Sequence, residues 1–409
     1  MFTIMGIEFK KFIRSKKFLV AMGLMIANCT LCLMLTAFLM PKRVGVQNGI
    51  KARKKYINKL EEQGNLKKYK GASSSVNSAY EKILREEKAF LKVMEMHADK
   101  SIPWQQKLHE DIKFSQDNLK RNPYLHPSAK HSELSNIRIK RYYLENNIPY
   151  DYDENITSFS TFPDELRLLG VFGLLIMVGI MVSHVVSGEN KPPTIKFLLT
   201  KPVKRWKVIL SKFIVVVVTV NVVILIIEFI NFLLIGVLFS FGDPSIPVLV
   251  DVKYRIVDAA HIAEVRGAVV PYVGSGTLIS TGSLIVRMLI IQTLGVTASI
   301  AFCFLLSTII ENTSVSLTLS LIFIGFTHAI INLKTYTIER LKPATVLDKL
   351  LIFLFPTYHD SLDIITGKMN DYLSVDFITF KFSIILLLVW IVVCYGISHL
   401  VFVRKDIVV

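Results

Sequence analysis

Six long apolar runs divide this chain, separated by polar segments of very unequal length. They cover residues 18–40, 165–186, 208–239, 284–310, 315–333 and 380–403. A run of about 20 apolar residues crosses a bilayer as a helix, because a helix satisfies its own backbone hydrogen bonds. The pattern predicts an all-α polytopic membrane protein with six transmembrane helices. Ahead of the first run, residues 1–17 mix apolar and basic positions. Ile4, Ile7, Phe9, Phe12 and Ile13 fit a broad helical face, with Lys10, Lys11, Arg14, Lys16 and Lys17 around the other side. This predicts an amphipathic helix lying on the membrane interface. The same cations also form a flank that orients the first span, and the two readings are compatible.

The connections add direction. Residues 187–207 join the second and third runs and carry Lys191, Lys196, Lys201, Lys204, Arg205 and Lys207. By the positive-inside bias this segment is cytoplasmic. Both termini then lie inside, as do the short turn at 311–314 and the tail at 404–409. Segments 41–163, 240–283 and 334–379 lie outside. In the first of these, Val76, Tyr80, Ile83, Leu84, Phe90, Leu91 and Met94 recur at helical spacing, and a second helix is expected over 104–119. Asn122-Pro123 and His126-Pro127 break it. The expectation is a large, mostly helical extracellular insertion built around a helical hairpin. Segment 240–283 holds three prolines, a β-like run at 248–257 and the Gly-rich 274–277. Segment 334–379 contains the apolar 347–355, too short to span and closed by Pro356, which predicts a re-entrant helix in the outer leaflet.

Composition agrees with this layout. The chain has 409 residues, 52% of them hydrophobic, and a mean hydropathy of +0.48. The net charge of +16 would suggest nucleic acid in a soluble protein. Here the cations flank apolar runs, so the lipid bilayer and its anionic headgroups are the expected partner and nucleic acid is not. The first run is too long for a signal peptide and ends in Met-Pro rather than a small-residue cleavage site, so it reads as a retained span. The four cysteines, Cys29, Cys32, Cys303 and Cys394, all sit inside apolar runs. Cys29-x-x-Cys32 lacks the second ligand pair of a zinc site and reads as small apolar packing. No metal site is expected, and no disulfide framework supports the outer segments.

Charged and polar residues inside the runs are the candidates for function, because they are costly in lipid and face protein or water. Glu228 lies deep in the third run with Asn221 and Asn231 near it, and His328 lies in the fifth. These four mark a candidate translocation path, or else an interhelical hydrogen bond with no transport role. Arg287 and Lys381 read as anchors that snorkel to the outer face. No G-x-x-x-x-G-K-[ST] run is present to cradle phosphates, and Gly274-Ser275-Gly276-Thr277 reads as a loop. H-E-x-x-H and G-x-S-x-G are absent, and His359-Asp360 has no nucleophile beside it, so no catalytic residues are assigned.

Three sets of residues converge on a family. The first is Glu8-Phe9-Lys10-Lys11 followed by Arg14-Ser15-Lys16-Lys17. The second is Gly188-Glu189, then 194–199 (TIKFLL), 201–206 (KPVKRW) and Ser211-Lys212. The third is Phe402 with Arg404-Lys405-Asp406-Ile407 at the end. In these the chain resembles the permease subunits of exporter-type ATP-binding cassette transporters, the ABC-two membrane class. Pro193 stands where that family commonly has Gly. The resemblance implies that 187–207 is a coupling segment for cytoplasmic ABC ATPase subunits, through Glu189, Thr194, Ile195, Leu198, Leu199, Pro202 and Arg205. It implies no cofactor in this chain, with ATP and Mg on the partner ATPase, and pairing with a second permease copy or a related permease. The implied activity is export of a peptide, drug or lipid-like substrate across the plasma membrane. The alternative from another class is a non-transporting sensor that binds a ligand through its extracellular domain. An ATPase that co-purifies and responds to substrate separates the two.

Overall fold

The structure is a computed structural model that describes residues 2–35, 46–69, 74–152, 155–171, 173–189, 204–257, 269–336 and 345–404. The chain forms two compact units. One comprises Met1–Met34 with Thr157–Val409, and the other is Leu35–Ile156.

The larger unit is a helical bundle. Helix α1 (Phe2–Ile13) precedes α2 (Lys16–Met34). The intervening unit supplies α3 to α6. The bundle resumes with α7 (Ser158–Val171), α8 (Leu174–Val182), α9 (Arg205–Leu238), α10 (Thr281–Ile309) and α11 (Thr313–Tyr336). Short helices α12 (Val346–Leu351), α13 (Ser361–Thr366) and α14 (Met369–Leu373) lead to α15 (Phe380–Arg404). Among the described residues, five helices are long and apolar enough to cross a membrane, and a sixth span arises if α7 and α8 count together. In α9 the run Ile214–Val218 is β-branched throughout, a pattern that favours strands in water. In lipid, a lone strand would leave its backbone unpaired, so helix wins. Helix α10 has half of its apolar window buried, more than any other span, and packs on α7, α8, α9, α11 and α15. Many large side chains on α9, α11 and α15, such as Phe229, Phe326 and Val392, remain exposed, as expected of lipid-facing surfaces.

The second apolar run departs from the single straight helix expected over 165–186. It starts earlier, at Ser158, and bends by 53° between Ser158–Gly170 and Leu174–Val182. Gly173 has φ +94°, a left-handed value that a side chain would resist, and it opens α8. Gly170 passes so close to the backbone carbonyl of His359 that a Cβ there would collide with it. The region expected to hold one re-entrant helix is instead a string of short pieces. A capping box between Thr345 and Asp348 starts α12, a 3-10 turn covers Phe355–His359, and Asp360 caps α13 by accepting from the Asp363 amide at 3.0 Å. Phe355 and Tyr358 are fully buried there, and the Phe355 ring lies beside those of Phe302, Phe323 and Trp390. Two antiparallel ribbons sit between α9 and α10: β1 (Pro247–Val250) with β4 (Thr277–Ser280), and β2 (Tyr254–Ile256) with β3 (Val269–Pro271). Gly274–Gly276 is part of the turn between β3 and β4.

The second unit holds α3 (Val46–Tyr69), α4 (Ser74–Ala98), α5 (Trp104–Arg121) and α6 (Pro127–Glu145). It is helical as expected, but with two helices more than periodicity had located. Pro127 begins α6 rather than only ending its predecessor, since proline's missing N–H costs nothing at the first helical position. The core of α5–α6 includes Leu108, Ile112, Ile137 and Tyr143. At its centre Asp111 is buried and meets His97 at 2.6 Å, Lys140 at 3.0 Å and the Tyr152 hydroxyl at 3.3 Å. Against the desolvation of burial, the His97 hydrogen bond and the Lys140 charge hold the Asp111 carboxyl below its usual range.

Candidate functional site

Polar groups gather at three levels of the larger unit. The first joins α1 to α9. Only Glu8 and Phe12 of α1 are buried, one turn apart, while Ile7 and Phe9 point outward with Lys10, Lys11, Arg14 and Lys16. The packed face of α1 is thus narrower than its apolar pattern suggested. The buried Glu8 carboxylate accepts from the Lys212 ammonium at 2.6 Å, and Lys212 is itself only 2% exposed. Burying two charges costs more than a surface pair returns, so the pair acts mainly by fixing α1 against the start of α9. Beside it a cavity of about 120 Å³ is lined by Glu8, Lys11, Ser15, His184 and Lys212 among others. Here α8 ends: the Ser307 hydroxyl of α10 accepts from the amides of Val186 at 3.1 Å and Ser187 at 2.9 Å. That clamp fixes the start of the segment 187–207. Of the residues expected to couple to an ATPase, Thr194, Ile195, Leu198, Leu199 and Pro202 lie outside the described residues, as does the Glu189 side chain. Arg205 is half-buried in the first turn of α9.

The second level is a buried seam between α7, α9 and α10. Glu228 is 2% exposed and accepts a hydrogen bond from the Gln292 side-chain amide of α10. Asn231 donates to Glu165 of α7 at 2.7 Å. Two turns below Glu228, Asn221 donates to the Val217 carbonyl at 2.8 Å and to the Thr297 hydroxyl at 3.2 Å. Glu228, Asn221 and Asn231 therefore share one seam. Cys29, Cys32 and Leu169 pack together as an apolar cluster, with Ile227 and Leu168 against it. All four cysteines are buried and free, and no three His, Cys, Asp or Glu side chains converge on a metal-sized site among the described residues.

The third level surrounds the short helices. His328 is not in the seam. Its ring lies 4.2 Å from that of His359 in the 3-10 turn. Burial, with the His328 charge adding, pushes the His359 imidazole down to about 3. Arg167 of α7 reaches Asp360 at 2.9 Å and Asp363 at 3.2 Å. Burial and the adjacent Asp360 charge push the Asp363 carboxyl up, against the pull of Arg167. Arg287 pairs with Asp251 at 3.2 Å. His359 and Asp360 are both buried, His359 held to the Pro356 carbonyl and Asp360 to Arg167.

Sequence reading passed over Glu165, Arg167, Gln292 and Asp363. Glu165 and Arg167 open an apolar run and read as flanks, and Gln292 is a single amide in a long apolar helix. Glu8 and Lys212 stood in quoted motifs, yet nothing in their spacing told that they meet.

The comparisons fit these features. One relative, the uncharacterized protein YhcI of Bacillus subtilis (strain 168), is 30% identical over 131 residues, 32% of this chain and 40% of that protein. The matched stretch thus spans less than half of the relative's length. A family model described as ABC-2 family transporter protein matches residues 2–407. A multi-pass helical bundle, with its family model covering nearly every residue, belongs to the ABC-2 transporter permeases.

Proposed function

We propose that this chain is the membrane subunit of an ATP-binding cassette exporter, moving a peptide, drug or lipid-like substrate outward across the plasma membrane. Cytoplasmic ABC ATPase subunits bind and hydrolyse ATP with Mg, and a second permease copy or a related permease completes the pathway. The termini and 187–207 face the cytoplasm, and 41–163 faces outside. The observation that carries the reading is the Glu8–Lys212 pair within a family-matched chain. It ties the interfacial helix to α9, directly after the segment expected to dock on the ATPase. A push on 187–207 then reaches both α1 and the seam on α9.

In the docking segment, Ile195, Leu198 and Leu199 follow the i, i+3, i+4 spacing of a helix seated in a groove. Leu198→Asp places an unpaired charge in that groove and is expected to weaken ATPase association about a hundredfold. Co-expression with candidate P-loop ATPases, followed by affinity capture and ATP hydrolysis, measures this. Normal membrane levels with lost capture support the reading. Full capture and activity with Leu198→Asp would show that this segment is not the coupling element.

A further inference from the structure

Among the described residues, the buried carboxylates of the larger unit come with a cation, with two exceptions. Glu8 has Lys212, Asp348 has Lys334, and Asp360 and Asp363 share Arg167. Glu165 and Glu228 are as deeply buried, at 0% and 2% exposed, and have no basic partner among the described residues. One oxygen of each accepts from a neutral amide, Asn231 for Glu165 and Gln292 for Glu228. The second oxygen of each, Oε2, is buried with no partner. Asn231, which holds Glu165, follows Glu228 by three residues on α9, so the Asn231 and Glu228 side chains are neighbours on one face of that helix and Glu165 of α7 is tied to that face through Asn231.

The amides orient the carboxyls but bring no charge, and an ionised carboxylate without a cation is costly in this setting. A bare divalent ion would need more oxygen ligands than two carboxyls offer. An ammonium group suits the pair better. Its three N–H donors match the two unpartnered Oε2 acceptors, and an attached apolar body suits the cluster of Cys29, Leu169 and Ile227. We propose that Glu165 and Glu228 together form the binding site for a protonated amine on an otherwise apolar cargo. This rests on the reading of the chain as a permease and narrows its substrate to amphiphilic amines. An acid that is protonated in the empty site gives its proton to water as the ammonium enters.

The test uses the intact permease in nanodiscs of neutral lipid, without an ATPase. Binding of n-octylamine and of n-octanol is measured by titration calorimetry, for wild type, Glu165→Gln, Glu228→Gln and the exposed-residue control Glu62→Gln. The expected result is saturable octylamine binding, at least about tenfold weaker in either buried-site variant and unchanged in the control. Octanol should bind more weakly and ignore all three substitutions. Equal binding of amine and alcohol to wild type overturns the proposal without reference to any variant. Unchanged amine binding in both buried-site variants does so too, and leaves the pair as protonated acids that hold the helices together. Because no ATPase is present, failure of ATPase coupling bears on the export reading alone.

Discussion

Glu8 and Lys212 test how a charge pair behaves where neither partner meets water. Removing one leaves the other buried and unmatched, which typically costs about 3–5 kcal/mol. Glu8→Ala and Lys212→Met alone should each lower the thermal stability of the detergent-solubilised protein. The double variant should recover much of the loss. Additive losses in a double-mutant cycle would mean that the two do not act as a pair. His359 offers a pH-dependent counterpart. Its folded-state value, about 3, lies below the ordinary 6.5, so the native state binds fewer protons there than the unfolded one. Its contribution is complete above about pH 6.5 and is lost as the pH falls toward 3. Asp363 works in the opposite sense, since its raised carboxyl takes up a proton in the native state as the pH falls. The variant therefore has to be compared with wild type. The stability difference between them should change between pH 7 and 5 if His359 titrates as stated, and a flat difference for His359→Gln would exclude it.

At the level of elements, the bend in the second span sets how the short helices seat. Gly170 leaves no room for a methyl group against the His359 carbonyl, and backbone cannot yield as a side-chain tip can. Gly170→Ala should destabilise by about 1–3 kcal/mol and loosen the Arg167 contacts to Asp360 and Asp363. Thermal denaturation, with hydrogen exchange over 355–366 as the local readout, checks both. Unchanged protection there would show that the contact is not tight. In the other unit, Asp111 organises His97, Lys140 and Tyr152. Asp111→Ala strands those groups and should raise exchange across α5 and α6 in the full chain, without altering exchange in α9 or α10.

For the whole molecule, topology is the property that everything else presupposes. The native cysteines are buried, which leaves a quiet background for labelling. Tyr124→Cys, at a position 99% exposed, should react with an impermeant maleimide added to intact cells. Lys204→Cys, exposed at the start of α9, should react only after the membrane is opened. The reverse pattern would invert the assignment of inside and outside, and with it the site of ATPase docking.

Run length alone located most of the long apolar helices. Apolar stretches of 19 or more residues have one structure in lipid that pairs their backbone, so α9, α10, α11 and α15 lie within a few residues of where the pattern put them. The helical nature of the inserted unit was legible too, because periodicity is local. What periodicity cannot carry is which polar side chains meet across helices. Glu8 and Lys212 are 204 residues apart, and Arg167 lies 193 residues from Asp360. A lone Glu or Gln in an apolar run looks the same whether it faces a partner or nothing. Only the packing of α7, α9 and α10 decided that Glu165 meets Asn231, that Glu228 meets Gln292, that His328 lies elsewhere, and that the second apolar run bends at Gly173. Those outcomes depend on the close approach of backbones far apart in the chain, which the order of residues does not record.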